Sequence, residues 1–358
     1  MIRSVYILLL AFLSVLSFQS YSQQLEWKTG VNYFFDNTEF AKSTITKDQT
    51  MTGTHIAPEL GVSWDSTHFV YGGLDMLKLS GSRNVIDSIH PIAYYQYKSK
   101  SMSFYAGAFP RGKLLSNYSS LFFQDSIYNF RPTLTGIFWK VGQAKSFFTF
   151  WMDWSGHQTF TDHETFFVGG SGHHRMGRFF VDFQSYMFHY ASTMAVKYHV
   201  TDNLLGHLSF GADYSNTTGL DTLMVAVGVL GGVERDRTVF DKPAPQPVGA
   251  VVRFNAEYKG IGTDNMLYVG DPRNVYYNKY NTNMYWNNPF LQSNYYLLNQ
   301  VYINLLKRQD VRIRLVSRQH FSEGKLMFEQ YFTALVSLDS SEKNTDKSLP
   351  FLKRLLQK

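Results

Sequence analysis

The stretch DVRIRLVSRQ, residues 310–319, has arginine at Arg312, Arg314 and Arg318. Val311, Ile313 and Leu315 take the positions between. Because successive side chains of a strand point to opposite sides, this alternation predicts a strand with one polar and one apolar face. An ordinary sheet buries its apolar face in a core, whereas a membrane barrel turns that face outward to lipid. The choice between these two folds therefore depends on which face of the strand meets water.

The N-terminal segment has the features of an export signal. It begins with Arg3, continues with an apolar run from Val5 to Leu16, and has small residues at Ser20 and Ser22. This pattern predicts a secretory signal peptide over residues 1–22. A membrane anchor is a weaker interpretation, because the apolar run is shorter than the roughly 20 residues needed to span a bilayer.

Composition narrows the class further. The chain is 17% aromatic, with 30 Phe, 24 Tyr and 6 Trp, and it contains no cysteine. An exported chain without cysteine has no disulfides, no thiolate nucleophile and no Cys-ligated metal site. A formal charge of +6 over 358 residues is small and gives little reason to expect nucleic acid binding.

Amphipathic segments of about ten residues recur along the whole chain, and short turns alternate with long connections, as in outer-membrane barrels. A seventeenth alternating segment, ASTMAVKYHV, begins at Ala191. Because such barrels usually have an even strand number, we interpret residues 190–202 as an external loop. The sequence predicts an all-β transmembrane antiparallel barrel of about sixteen strands (14–18) over residues 23–340, with short periplasmic turns, long extracellular loops and a tail at 341–358.

Strand facing supports the barrel. Residues 145–155, 177–188 and 325–338 each set a row of Phe, Met, Val or Leu against a row containing charged or polar residues. A soluble β-sandwich also has half-buried strands. The barrel is favoured because alternation persists throughout a chain that is also exported and rich in aromatic residues.

Three segments carry a resemblance to a known class: FYAGAFPR (104–111), MLYVGDP (266–272) and MYWNNPFLQSNYYLLNQVYINLL (284–306). They resemble porin-like outer-membrane β-barrel proteins of Gram-negative bacteria. The resemblance implies a location in the outer membrane and allows a homotrimer. Such barrels typically end on an aromatic residue, whereas this chain continues beyond the last strand; the tail is a periplasmic extension or a short amphipathic helix.

The residues opposite the apolar face are expected to line a polar, mildly anion-preferring lumen, because rings of fixed charge select ions. The alternative is that they only pair with one another. The candidates are Glu26, Lys28, Asp75, His90, Lys98, Lys140, Lys145, Asp153, Arg178, Asp182, Arg253, Glu257, Arg312, Arg314, Arg318 and Glu329.

Two long loops are further candidates. In the sixteen-stranded porins that this chain resembles, the loop after the fifth strand narrows the channel. The resemblance therefore implies that residues 111–131 form a constriction loop, which contains Arg111, Lys113, Asp125 and Arg131. The alternative is that this segment is a plain surface loop. The second loop, residues 271–293, is rich in Tyr and Trp, which predicts sugar binding, an interfacial belt or a small loop core.

The best candidate for an enzymatic site is the SGHHR cluster, residues 171–175. Ser171 and His173 share a strand face, but no acid partner can be identified for them, and the adjacent His173 and His174 point to opposite sides. We therefore expect no catalytic residue, no metal, no cofactor and no enzymatic activity.

The sequence thus predicts a porin-like channel for passive diffusion of small hydrophilic solutes, in contact with outer-membrane lipid. The alternative is a plugged barrel that acts as a surface receptor or structural protein and binds a glycan or partner through its extracellular loops.

Overall fold

The computed structural model describes residues 23–196, 200–239 and 241–340. The predicted signal peptide and the predicted tail at 341–358 lie outside these residues. Within the described ranges, no helix has the length and apolar character needed to cross a bilayer.

Sixteen strands form one closed antiparallel barrel, in which each strand pairs with its sequence neighbours and β1 pairs with β16. The predicted all-β barrel of about sixteen strands is confirmed. The strands are β1 (Gln24–Glu39), β2 (Gln49–Trp64), β3 (His68–Leu79), β4 (Ser88–Lys98), β5 (Met102–Pro110), β6 (Thr133–Gln143), β7 (Ser146–Gly156), β8 (Thr165–Met176), β9 (Phe179–Ala191), β10 (Val200–Asp213), β11 (Thr222–Asp236), β12 (Val248–Tyr258), β13 (Ile261–Gly270), β14 (Tyr295–Lys307), β15 (Val311–Ser322) and β16 (Lys325–Asp339).

The connections differ between the two rims. One rim, the short-turn rim, carries tight turns such as Lys259-Gly260, where both residues have positive φ (48° and 84°), as in the two-residue turns that suit a twisted hairpin. The other, the long-loop rim, carries the β5–β6 loop (residues 111–132) and the β13–β14 loop (residues 271–294). These two loops contain the short helices α1 (Arg111–Leu114), α2 (Asp125–Phe130) and α3 (Tyr277–Tyr280), and the 3-10 turns Asn281–Asn283 and Pro289–Gln292. The β10–β11 connection contains the 3-10 turn Ser215–Thr217.

The connection between β9 and β10 resolves the strand count. β9 runs to Ala191 and β10 begins at Val200, and these two residues pair with each other in the ladder. The interpretation of this region as a loop is therefore confirmed, although the loop is shorter than predicted.

Strand β15 answers the question of which face meets water. Leu315 (42% exposed) and Phe321 (39% exposed) lie on the outer surface, and Arg314 and Arg318 point into the barrel. Exposed large apolar side chains continue around the outside, for example Leu208 (57% exposed) on β10. The wall is therefore apolar outside, as lipid requires.

The interior is more apolar than a purely polar lumen. Inward-facing aromatic residues of the wall, including Trp151, Tyr186 and Tyr268, are buried in one cluster with residues of the two inward loops. Sixteen strands enclose a space wide enough for a channel, and here much of that space holds packed side chains.

Candidate functional sites in the lumen and on the outer wall

The β5–β6 loop folds into the barrel. At its start Arg111, 1% exposed, forms a 2.5 Å ion pair with Asp153 on the inner wall of β7. At its far end Asp125 reaches β15, and between these points Lys113 donates to the Ser337 hydroxyl of β16. The loop therefore crosses from one side of the interior to another.

A tyrosine hydroxyl fixes the middle of this loop. Tyr118 donates to the Gly170 carbonyl oxygen (2.8 Å) and lies 2.9 Å from the Ser185 carbonyl oxygen, and its oxygen accepts from the indole N–H of Trp151 (2.8 Å). Burial raises the pKa of Tyr118 far above its usual range, so the hydroxyl stays protonated. These contacts with two wall strands and with Trp151 hold the middle of the loop against the inner wall.

Arg318 clamps the end of the loop to the wall. Its guanidinium lies 2.6 Å from Asp125 of α2 and 2.5 Å from Glu329 of β16. The second Glu329 oxygen is 2.9 Å from Nε2 of His320, and Nδ1 of His320 is 2.8 Å from the Tyr296 hydroxyl. This chain of polar contacts ties three strands to the loop.

The β13–β14 loop is anchored by Glu234, a fully buried carboxylate at the end of β11. It accepts hydrogen bonds from the backbone N–H groups of Asn274 (2.7 Å) and Val275 (2.8 Å) and from the Tyr285 hydroxyl (2.8 Å). Burial, and then the neighbouring Glu234 carboxylate, raises the pKa of Tyr285, so this hydroxyl remains a donor.

The two loops meet inside the barrel. The Gln124 backbone N–H donates to the Trp286 carbonyl oxygen (3.0 Å), and the Arg131 guanidinium lies 4.8 Å from the Trp286 ring centroid. Burial, together with nearby Arg111, lowers the pKa of Arg131. Tyr285 and Trp286 are covered by other side chains, so these rings of the predicted sugar-binding loop belong to a buried core. Sugar binding by this loop stays a prediction.

Most of the predicted lumen residues sit in strands, and several are paired. The pairs join Lys307 to Glu257, Arg253 to Asp264 at 3.8 Å, and Lys28 to the Tyr94 hydroxyl. Lys145 and Arg178 differ from the prediction, because they lie in exposed turns of the short-turn rim rather than in strands. A pore-lining role stays a prediction for Lys28, Lys140, Lys145, Asp153, Arg178, Asp182, Arg253, Glu257, Arg312, Arg314, Arg318 and Glu329.

The SGHHR cluster divides between the two faces of β8. His173 faces inward and contacts Asp182 at 2.7 Å, while His174 contacts the Ser146 hydroxyl at 2.7 Å. An acid partner for His173 therefore exists that the sequence did not identify. Ser171, however, is fully buried and bonded to Asn117 and Thr149 (2.5 Å each), so it is not placed as a nucleophile for His173.

A second cluster lies on the outer wall near the long-loop rim. We call it the outer row: five directly paired positions across β7 to β11, namely Trp154, Phe166, His189, Asp202 and Arg235. Their neighbours along each strand face inward, as the buried Phe167, Phe188 and Asn203 show.

Within the outer row, His189 and Asp202 form a hydrogen-bonded pair. Nδ1 of His189 is 2.7 Å from one Asp202 oxygen, and Arg237 binds the other oxygen through Nε (3.0 Å) and Nη2 (2.8 Å). Phe166 stacks on His189 with a centroid separation of 4.6 Å, and Trp154 stacks on Phe166 at 5.1 Å. Because a carboxylate only accepts, Nδ1 carries the proton and Nε2 is the basic nitrogen.

This arrangement suits general-base catalysis, since a carboxylate that holds the imidazole tautomer is the supporting part of a catalytic dyad. Among the described residues, no serine hydroxyl hydrogen-bonds to His189. The described part of the chain also contains no group of three or more His, Asp or Glu that could hold a metal ion.

Sequence reasoning missed the outer row, although one signal was present. In β9 the outward positions before it are Phe179, Val181, Phe183, Ser185 and Met187, and His189 continues the same alternation. A titratable residue at a lipid-facing position is costly unless it has a role or a partner. The predicted strand ended one residue too early for this exception to be noticed.

A sequence model of the lipid A 3′-O-deacylase-type family matches residues 18–339. The chain belongs to this family. The prediction that the protein is not an enzyme is therefore wrong, because the matching family is an enzyme family by its description. No curated protein sequence matches the chain.

Solved structures of outer-membrane proteins are similar to this chain in their β-barrel fold. The loop L8 deletion mutant of OmpT, an outer membrane protein of Vibrio cholerae, has a TM-score of 0.53 at 7% identity, with 88% of this chain and 100% of that chain covered. The anion-selective porin from Comamonas acidovorans has a TM-score of 0.53 at 8% identity, with 88% and 99% covered. The predicted resemblance to porin-like barrels and the predicted location in the outer membrane are confirmed.

Proposed function

We propose that this protein hydrolyses an acyl ester of a lipid A-type glycolipid in the outer leaflet, and that the outer row is its active site. The observation that carries the proposal is the His189–Asp202 pair, which faces the lipid side of the wall. His189 lies two residues from the end of β9, and Asp202 two residues from the start of β10. Both are therefore close to the long-loop rim, where the ester groups of a glycolipid meet its headgroup.

The chemistry follows from the hydrogen bonds. Nε2 of His189 takes a proton from water as the oxygen attacks the ester carbonyl, and Asp202 stabilises the imidazolium that forms. The imidazolium then returns the proton to the departing sugar oxygen, which leaves a free fatty acid and a sugar hydroxyl.

The surroundings suit an anionic amphiphile. Trp154 (43% exposed) and Leu204 (42% exposed) offer an apolar surface along which an acyl chain can lie. Arg235 and Arg237 are exposed at the rim above it, and guanidinium groups bind phosphate. Nε and Nη2 of Arg237 bind Asp202, so Nη1 is the nitrogen that is not used on that carboxylate.

Fatty acid release from lipid A in detergent micelles tests the proposal. The wild type should release fatty acid, and His189→Gln should lower kcat by about 100-fold or more, the range expected for a general base. His174→Gln, an outer-surface histidine at the opposite rim, is the matched control and should retain wild-type activity. Equal rates for wild type and His189→Gln would overturn the assignment.

A second candidate is passive diffusion of small hydrophilic solutes, which the inward-facing Arg314 and Arg318 favour. Because packed loops occupy much of the interior, passage requires the β5–β6 loop to move. Deletion of residues 117–125 should then raise single-channel conductance several-fold. Unchanged conductance in a folded deletion variant contradicts the channel.

A further inference from the structure

A cavity of about 150 Å³ lies inside the barrel below the long-loop rim. It is bounded by the inner wall of β1 and of β14 to β16, by the β1–β2 loop and by both inward loops. It is separate from the outer row, which lies on the other surface of the wall.

Carboxylates outnumber arginine and lysine side chains around this cavity. Three carboxylates line it, those of Asp36, Asp125 and Glu329, and Arg318 is bonded to the last two. Asp36 is 5% exposed, and its Oδ1 atom is buried without a hydrogen-bond partner among the described residues. A buried carboxylate oxygen without a partner is costly, and a bound cation would remove that cost.

Part of the lining is aromatic, and the remainder includes both polar and apolar side chains. Phe40 and Phe290 pack edge to face at 5.3 Å, and the Tyr296 ring stacks on Phe290 at 5.3 Å. Aromatic faces attract organic cations, and together with a carboxylate they form the usual surroundings of a bound ammonium group.

Lys47 also lines the cavity, on the exposed β1–β2 loop. Within the described residues its ammonium group forms no ion pair with Asp36, so it leaves that carboxylate unneutralised. Its positive charge near the cavity weakens the attraction for an incoming cation.

We propose that this cavity binds a small organic ammonium ion from the external side, with Asp36 as the counter-ion and Phe40 and Phe290 as the apolar wall. The proposal is independent of the deacylase site, because none of its residues belongs to the outer row.

Isothermal titration of the detergent-purified barrel with butylammonium chloride tests this site. Binding to the wild type should be measurable, and 1-butanol, which has similar shape but no charge, should bind at least about 10-fold more weakly, as expected for loss of a charged hydrogen bond. Asp36→Asn should weaken butylammonium binding to the same degree. The control Asp241→Asn, an exposed loop carboxylate at the same rim, should bind like the wild type.

Lys47→Gln provides a second test of the site if Asp36→Asn does not fold. Removal of the competing charge should strengthen butylammonium binding by about 2- to 5-fold. Absence of binding to the wild type, equal binding of 1-butanol, full binding by folded Asp36→Asn, or unchanged or weaker binding by Lys47→Gln overturns the proposal.

Discussion

Arg318 on β15 and Asp125 in α2 are joined by a 2.6 Å ion pair inside the barrel, although they are 193 residues apart in sequence. This pair fixes the end of a loop that begins at β5. The same guanidinium binds Glu329 of the neighbouring strand, so the position of the loop is coupled to the wall.

Asp125→Asn should loosen the β5–β6 loop. Asp125 is about one-third exposed (32%), so we expect a loss of only about 1 kcal/mol and a roughly 5-fold larger open population of the loop. Hydrogen exchange measured by mass spectrometry should show faster exchange in residues 115–130. Asp87→Asn, which alters a carboxylate bonded within its own hairpin connection, should leave that exchange unchanged.

Tyr118→Phe should destabilise the interior. The substitution leaves the buried indole N–H of Trp151 without its acceptor, at a cost of about 1–3 kcal/mol. Denaturant unfolding followed by tryptophan fluorescence measures the loss. Tyr128→Phe is the control, since its hydroxyl makes a longer 3.3 Å bond to the Leu115 carbonyl oxygen. Equal losses in the two variants contradict the assigned role of Tyr118.

Glu234→Gln should release the β13–β14 loop. The amide side chain offers one acceptor oxygen where the carboxylate offers two charged ones, so the Asn274 and Val275 N–H groups are no longer both satisfied. Each lost charged hydrogen bond costs about 1.5–3 kcal/mol. Limited proteolysis should cut within residues 271–294 in this variant. The wild type and Glu39→Gln, altered at the exposed end of β1, should resist cleavage there.

Arg237→Ala should raise KM for a phosphorylated lipid A by about 10- to 100-fold, the range of a charged hydrogen bond to phosphate. The effect on KM should be smaller for a substrate without phosphate groups. Because Arg237 also binds Asp202, any accompanying loss of kcat should be the same with and without phosphate on the substrate. Initial rates of fatty acid release measure both cases. Arg83→Ala, altered in the exposed β3–β4 loop, serves as control. Equal KM changes for both substrates assign Arg237 a role other than phosphate binding.

Much of the fold could be predicted from sequence because strand facing is a local property with a period of two. On β15 Arg314 and Arg318 fall on the inner face, and Val311, Ile313 and Leu315 fall on the outer face, as predicted. The recurrence of such segments predicted the barrel, and the even strand number usual for such barrels predicted sixteen strands.

The filled interior could not be predicted in the same way. Trp151 and Trp154 lie three residues apart on β7, one buried in the lumen and one exposed on the outer wall. Alternation assigns them to opposite faces, but only the loop that packs over Trp151 shows that its face is apolar. That packing depends on contacts between segments more than 30 residues apart, such as Tyr118 with Trp151.

The outer row could not be predicted from the alternation of polar and apolar residues alone. His189 and Asp202 meet because β9 and β10 pair in one particular register, and Arg237 reaches them from the end of β11. A shift of one residue in either pairing would place Asp202 on the other face. The ladder register is a tertiary property. The sequence therefore shows that His189 is a titratable residue at an outward position, but it does not show which residues His189 contacts.

Mass spectrometry of lipid A recovered from proteoliposomes shows whether the outer row hydrolyses an ester. With wild-type protein, we expect a product lighter by one acyl chain that accumulates over many turnovers. With Asp202→Asn or His189→Gln barrels, inserted to the same extent, the lipid A should keep its mass. Unchanged lipid A with the wild type, or equal conversion by all three proteins, would contradict the claim that the outer row is an ester hydrolase site.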